Sequence, residues 1–250
     1  MLPFPAKFLV PNGFTAFSML CGLFSVVASS RGDFAFAAWL TLWGVLLDKL
    51  DGSAARLLKA SSEFGVQYDS FADFVVFGIA PGALVYYRLA DSPNYQGPMA
   101  AVLMACVGLY VVAVSGRLAR FNISSPPGGD LYFYGIPTTM MGALFSTFYL
   151  TVESRPQVHG LIELLPLLLV AASYLMVSSL KLPKLKMRKN KALNAFQLVN
   201  LVVAYILAPL MLLPEVLLAQ ALLYLVAGVL SCLVSPPRFD EPQGETPLSA

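Results

Sequence analysis

Long apolar stretches, broken at intervals by short polar connections, run along almost the whole chain. About 20 apolar residues in a helix cross the hydrocarbon core of a bilayer. Eight stretches approach or reach that length: 11–30, 33–47, 71–89, 98–115, 135–152, 161–180, 192–213 and 215–235. The second runs on through Asp48 and Asp51 toward Leu58. The connections are short and rich in Gly, Pro, Ser and Asn, among them SSRGD, DSPNYQGP, ISSPPGGD and ESRPQVHG. They leave no room for a separate soluble domain. The pattern predicts an all-α, polytopic transmembrane helix bundle of about eight spans. A single integral-membrane domain is expected over residues 1–235, followed by a polar, Pro-rich, disordered tail over 236–250. No internal repeat is visible.

Composition sharpens this picture. Hydrophobic residues make up 58% of the 250 positions, charged residues only 12%, and mean hydropathy is +0.72. A disordered chain, a coiled coil and a nucleic-acid-binding domain are excluded, and an ordinary soluble globule lacks the polar surface it would need. Cys21, Cys106 and Cys232 lie in apolar runs and read as small buried hydrophobes rather than a disulfide framework. The single histidine, His159, argues against a histidine-based catalytic site. Lys and Arg are unevenly divided between the loops. The N-terminus, the even-numbered loops and the tail carry twelve, the other side only Arg31, Arg88 and Arg155. Both termini are therefore expected in the cytoplasm. Lys7, the apolar run and Ala28–Ser30 weakly imitate a signal peptide, but the helix-starting Pro11-Asn12 fits a first span better.

The charges beside the spans are concentrated. Asp48 and Asp51 are three apart, Asp69 and Asp73 four apart. Either spacing puts a pair on one helix face. The loop between the pairs, with Ser61, Ser62 and Gly65, permits a reversal. Two antiparallel helices could then aim four carboxylates at one point. Such a group repels itself and is costly to desolvate, and a divalent cation relieves both problems. Hard oxygen ligands suit Mg²⁺, Mn²⁺ or Ca²⁺ rather than zinc. Gly52 follows an aspartate inside a helix, at a cost of about 1 kcal/mol relative to alanine. It makes sense where something bulky approaches the backbone, and Ala55, a turn on, extends the same open face. Arg56 offers a fork for phosphate oxygens. Together these describe a diphosphate-handling site. Neither a Walker loop nor G-x-G-x-x-G is present.

Residues 48–73, DKLDGSAARLLKASSEFGVQYDSFAD, resemble the signature of the CDP-alcohol phosphotransferase family, D-x2-D-G-x2-A-R-x8-G-x3-D-x3-D, at all eight fixed positions. The resemblance implies a membrane enzyme with two divalent ions that cleaves a CDP-linked donor, transfers its phosphoryl group to an alcohol and releases CMP. Carried over by position, Asp48, Asp51, Asp69 and Asp73 would hold the metals, and Asp73 would also be the general base. Gly52, Ala55, Arg56, Ser62 and Gly65 would form the CDP site. Asn12 and Thr15, in PNGFT, resemble the family's cytidine-side contact.

Within the family, SEFGVQYDSFADFVVFGIAP (62–81), SGRLARFN (115–122), YGIP (134–137) and YLMVS (174–178) resemble the membrane-spanning phosphatidylserine synthases. That resemblance implies CDP-diacylglycerol and L-serine as substrates, no nucleic acid, membrane lipid as surroundings, a prokaryotic inner membrane and a cytoplasmic active site. It also allows a homodimer. Where those synthases usually continue GLPIP, this chain has GIPTT (135–139), close to the expected acceptor side. An ether-linked donor stays open, as do glycerol phosphate and inositol phosphate as acceptors. Arg117 and Arg120, three apart at the cytoplasmic edge, could hold the serine carboxylate or the donor phosphate, or serve as positive-inside anchors. The basic run 181–191 reads as attraction to anionic lipid. A transporter is the other class to weigh, but its intramembrane acids would sit at mid-bilayer in corresponding repeat halves, not at one end.

Overall fold

The computed structural model describes residues 6–124, 132–178, 180–183 and 191–234. The expected tail over 236–250 and most of the basic run 181–191 lie outside them. Among the described residues the fold is helical. A one-turn lead-in, Ala6–Phe8, opens into α1 (Leu9–Ser30). It is followed by α2 (Phe34–Leu57), α3 (Glu63–Leu89), α4 (Pro98–Ser124), α5 (Thr138–Glu153), α6 (Pro156–Val177), α7 (Lys191–Leu207) and α8 (Pro214–Val234). The first turns of α6 are 3₁₀. Four helices, α1, α3, α4 and α6, are long and apolar enough to cross a membrane, and α7 and α8 carry shorter apolar stretches. Large apolar side chains such as Phe24, Val112 and Leu167 are turned outward, as a lipid solvent requires.

Two features depart from the expected pattern. The third helix starts at Glu63, within the expected loop and eight residues before its apolar stretch, because the Ser62 hydroxyl caps it by accepting the Gly65 N–H at 3.0 Å. A two-stranded antiparallel ribbon also interrupts the helices. Strand β1 (Tyr132–Tyr134) pairs with β2 (Lys181–Pro183), with Phe133 opposite Leu182.

Helix ends are set by local chemistry. Asp33 caps α2 by accepting the Phe36 N–H. At the far end of α2, Lys59 adopts a positive φ of 49° while the Ala60 N–H reaches back to the Ala55 carbonyl at 2.8 Å. This left-handed closure turns the chain from α2 into α3 within five residues, 58–62.

Helix α3 is the centre of the bundle and touches α1, α2, α4 and α5. Small residues on its neighbours let it in. A Cβ on Gly22 of α1 would lie 2.9 Å from the Val76 Cα, one on Gly44 of α2 would collide with Val76 Cγ1, and one on Gly142 of α5 would collide with the Phe77 ring. Helices without water between them gain association energy through such close backbone approach. Hydroxyl ties reinforce the α1–α2 seam: Ser18 to the Gly44 carbonyl at 3.3 Å and Ser25 to the Ala37 carbonyl at 2.8 Å.

Residues Phe74–Ile79 of α3 form a π-helical segment. Its cause is readable two residues on. Pro81 has no N–H, and in regular α geometry its ring would press on the Phe77 carbonyl. The wider turn relieves that pressure, and the buried Tyr110 hydroxyl of α4 donates to the Phe77 oxygen at 2.7 Å. Wide turns of this kind often occur at functional sites, and this one begins immediately after Asp73.

Replacing Gly44 by leucine should drive a side chain into Val76 and destabilise the bundle by about 1–3 kcal/mol. A thermal scan in detergent should show a clear fall in Tm. An unchanged Tm would mean that α2 and α3 do not meet at Gly44 and Val76.

Candidate active site

Consecutive helices run in opposite directions, so the start of α1, the end of α2, the start of α3, the end of α4 and the start of α5 meet at one end of the bundle. Asn12 and Thr15 come from α1, Asp48 and Asp51 from α2, Asp69 and Asp73 from α3, Arg117 from α4, and Thr138 and Thr139 from α5. Carboxylate oxygens of Asp48, Asp51 and Asp69 all lie within 4.8 Å of one another. Asp73 lies one turn further along α3, close enough to feel the charge of Asp48. Asp51 and Asp73 are buried, while Asp48 and Asp69 are half-buried. Three hard oxygen donors this close fit a divalent cation such as Mg²⁺, Mn²⁺ or Ca²⁺, and their crowding disfavours the group without one.

Hydroxyls aim the carboxylates. Thr15 donates to Asp51 Oδ2 at 2.8 Å, Thr139 to Asp48 Oδ2 at 3.3 Å, and Thr138 to Asp73 Oδ2 at 3.3 Å. Thr15 also lies 3.1 Å from the Pro11 carbonyl of its own helix. Its single hydroxyl proton is thus engaged within the protein, and the residue expected at the cytidine side serves first as a partner of Asp51. Ser62 likewise spends a lone pair on capping α3, which leaves its proton to donate elsewhere.

The other expected donor-side residues fall into two groups. A Cβ on Gly65 would stand 3.2 Å from Ser62 Oγ and 3.7 Å from Asn12 Oδ1, so Asn12, Ser62 and Gly65 come together from α1 and α3. Arg56 is exposed and folds back over its own helix. Its Nη2 donates to Ser53 Oγ at 3.3 Å, and its guanidinium would lie 3.5 Å from a Cβ on Gly52. Gly52 therefore leaves bare backbone beneath a long-armed cation, beside half-buried Ala55.

Arg117 and Arg120 meet different partners. Arg117 is buried, donates to Thr138 Oγ1 at 3.0 Å and lies 5.5 Å from the Phe121 ring centre. Arg120 turns the other way and donates to the carbonyls of Val177 at 2.8 Å and Met176 at 2.9 Å, at the end of α6. A cation there complements the helix dipole. The segment SGRLARFN thus divides its work: Arg117 faces the carboxylates, Arg120 secures α6, and Asn122 donates to Ser70 of α3 at 2.9 Å.

The profile of the CDP-alcohol phosphatidyltransferases matches residues 8–176, which contain all four aspartates and every side chain named with them. The chain belongs to that family. Among individual proteins, the CDP-diacylglycerol–serine O-phosphatidyltransferase of Helicobacter pylori is 34% identical over 234 residues, 93% of this chain and 94% of its own. The enzyme of the same name from Bacillus subtilis is 32% identical over 177 residues, 71% of this chain and 91% of its own. The archaetidylserine synthase of Methanothermobacter thermautotrophicus is 30% identical over 177 residues, 70% of each chain.

Three groups escaped the sequence reading. Thr138 and Thr139 lie in the GIPTT segment, whose sequence marked it as unusual without assigning those side chains a task. Tyr205 of α7, beyond the family match, donates to the Leu46 carbonyl at 3.0 Å and lies near Asp48 and Asp51. Polar groups at the other end of the bundle have no part in this site. There Arg88 pairs with Glu153 at 3.6 Å and Arg155 with Glu215 at 3.3 Å, holding the opposite helix ends together.

Hydrogen-bond partners of metal-binding carboxylates are typically worth about 10–100-fold in metal affinity. Thr15→Val should therefore weaken Mn²⁺ binding by about that factor, and Asp51→Asn and Asp69→Asn by at least as much. Titration followed by electron paramagnetic resonance reads this directly. Wild-type affinity in Asp51→Asn would remove Asp51 from the ligand set.

Proposed function

We propose that this chain transfers the phosphatidyl group of CDP-diacylglycerol to the hydroxyl of L-serine, giving phosphatidylserine and CMP. The observation that carries this is the near full-length similarity to the H. pylori enzyme of that name, over a stretch containing the whole carboxylate site. Asp48, Asp51 and Asp69, with Asp73 beside them, would hold a pair of Mg²⁺ or Mn²⁺ ions. When bound, these supply Lewis-acid polarisation of the diphosphate and offset charge on the departing CMP.

The remaining work belongs to side chains. Asn12, Ser62, Gly65, Gly52, Ala55 and Arg56 form the rim for the CDP moiety, with Arg56 long enough to swing from Ser53 to a phosphate oxygen. Thr15 keeps Asp51 oriented. Asp73 takes the serine hydroxyl proton as that oxygen attacks the phosphorus bearing the lipid and the bond to CMP breaks. A buried carboxylate one turn beyond the three-aspartate group suits that role. Arg117 contributes positive charge on the acceptor side. Lipid tails enter from the membrane between helices, while serine and CMP exchange with the cytoplasm.

The orientation forms part of the same proposal. All eight helices cross the membrane, with both termini and the carboxylate end in the cytoplasm, as the twelve-to-three division of Lys and Arg favours. The relative named archaetidylserine synthase favours an ether-linked donor as a second reading. The longer match to the H. pylori enzyme ranks the ester donor first.

Purified protein with CDP-diacylglycerol, Mn²⁺ and a panel of labelled alcohols should yield phosphatidylserine from serine and release CMP. Product from glycerol phosphate or inositol phosphate and none from serine would contradict the acceptor. Asp73→Asn should lower turnover by about 10²–10⁴-fold with donor affinity kept. Parallel loss of donor affinity would make it a metal ligand first.

For the topology, cysteines engineered near Asp91 and His159 should react with an impermeant thiol reagent from outside sealed cells. Labelling at residue 186 from that same side would overturn the orientation.

A further inference from the structure

The Thr138 hydroxyl bridges a buried cation and a buried carboxylate. Arg117 Nη1 donates to its oxygen at 3.0 Å, and Thr138 donates onward to Asp73 Oδ2 at 3.3 Å. Arg117 is 6% exposed, Asp73 8% and Thr138 0%. A hydroxyl has one proton, and a guanidinium only donates, so the direction of this chain is fixed. Arg117 fills the threonine oxygen from one side and leaves the proton facing Asp73.

The ordinary roles of a threonine in a first helical turn do not account for this one. The cap position of α5 is Pro137, and no side chain caps the helix. The Thr138 hydroxyl reaches across to α3 instead. The segment that presents it is held from several directions. Gly135 has a φ of 72°, and a Cβ there would collide with the Met176 carbonyl. Its N–H donates to the Leu180 carbonyl at 2.7 Å, and the Ile136 N–H donates to the Leu175 carbonyl at 3.2 Å. Arg120 ties the same end of α6 through Met176 and Val177. Pro137 then fixes the backbone at the entry to α5. The loop carries little freedom, and its rigidity is delivered to one hydroxyl.

From this geometry we infer that Thr138 is a positioning residue for Asp73 and transmits the Arg117 charge to it. Holding Oδ2 sets the plane of the carboxylate, and with it the direction of Oδ1 toward the acceptor oxygen. The inference rests on Asp73 acting as the base in the proposed reaction. Groups that must be aligned with a reacting atom lose about 10²-fold in rate when displaced by about 1 Å.

Thr138→Val keeps the shape and removes the hydroxyl, Thr138→Ser keeps the hydroxyl, and Thr138→Ala is a second hydroxyl-free variant. All are assayed for CMP release with whichever acceptor the wild type uses, so a wrong acceptor assignment shows in the wild type alone. Thr147→Val is the control, since that hydroxyl bonds only carbonyls of its own helix. Thr138→Val and Thr138→Ala should lower kcat about 10–100-fold. KM for donor and Tm should stay near wild type, and any fall in Mn²⁺ affinity by electron paramagnetic resonance should be smaller than the fall in kcat, because Asp73 stands beside the three-aspartate group rather than within it. Thr138→Ser should recover most of kcat, and Thr147→Val should match wild type. Wild-type kcat in Thr138→Val would overturn the inference, as would a serine variant no better than valine. Parallel loss of Mn²⁺ affinity, or failure of both hydroxyl-free variants to fold while serine folds, would assign Thr138 a structural role and also overturn it.

Discussion

Four carboxylates gathered at one end of an apolar helix bundle are the constraint on which the rest of this structure depends. Three of them bring oxygens within 4.8 Å of one another, and the fourth stands beside Asp48. Mutual repulsion and lost hydration both oppose that arrangement. It persists because each carboxylate is built into a helix that packing holds in place, and because threonines from α1 and α5 donate to three of the four. A divalent cation would relieve both costs, and the oxygens of Asp48, Asp51 and Asp69 are close enough to hold one.

Packing supplies the rigidity. Val76 and Phe77 of α3 sit where Gly22, Gly44 and Gly142 have removed side chains from three neighbouring helices. This nest lies one turn past Asp73, so the position of α3 along its axis is fixed close to the chemistry. The π-helical segment begins in the same place, and Tyr110 satisfies the carbonyl that Pro81 cannot serve. At the opposite end Arg88 ties α3 to Glu153 of α5, and Arg155 ties the start of α6 to Glu215 of α8.

The aspartates were legible in the sequence because helical spacing alone decides which face they share. Gly52 and Arg56 stood out because a glycine and an arginine beside acids in an apolar run are costly, and the structure places the Arg56 guanidinium over Gly52. The start of α3 was not. Gln67, Tyr68 and Asp69 lower the hydropathy of its first turns, yet those residues are helical because Ser62 caps them. The ribbon joining Tyr132–Tyr134 to Lys181–Pro183 was equally hidden, since strands of three residues carry no usable period. Arg117 and Arg120 showed the limit of spacing arguments. Their shared face was readable, but which partner each side chain meets depends on α5 and α6, far along the chain. Thr138 gave no signal of its own, because threonines in apolar helices commonly bond their own backbone.

The central claim is that Asp48, Asp51 and Asp69 form a divalent-metal site at which a CDP-linked lipid binds. Anomalous scattering from crystals grown with Mn²⁺ and CDP-diacylglycerol tests it most directly. Manganese peaks are expected between these carboxylates, in contact with the diphosphate of the donor. Donor bound elsewhere, or manganese found only at the helix ends or surface, would contradict it.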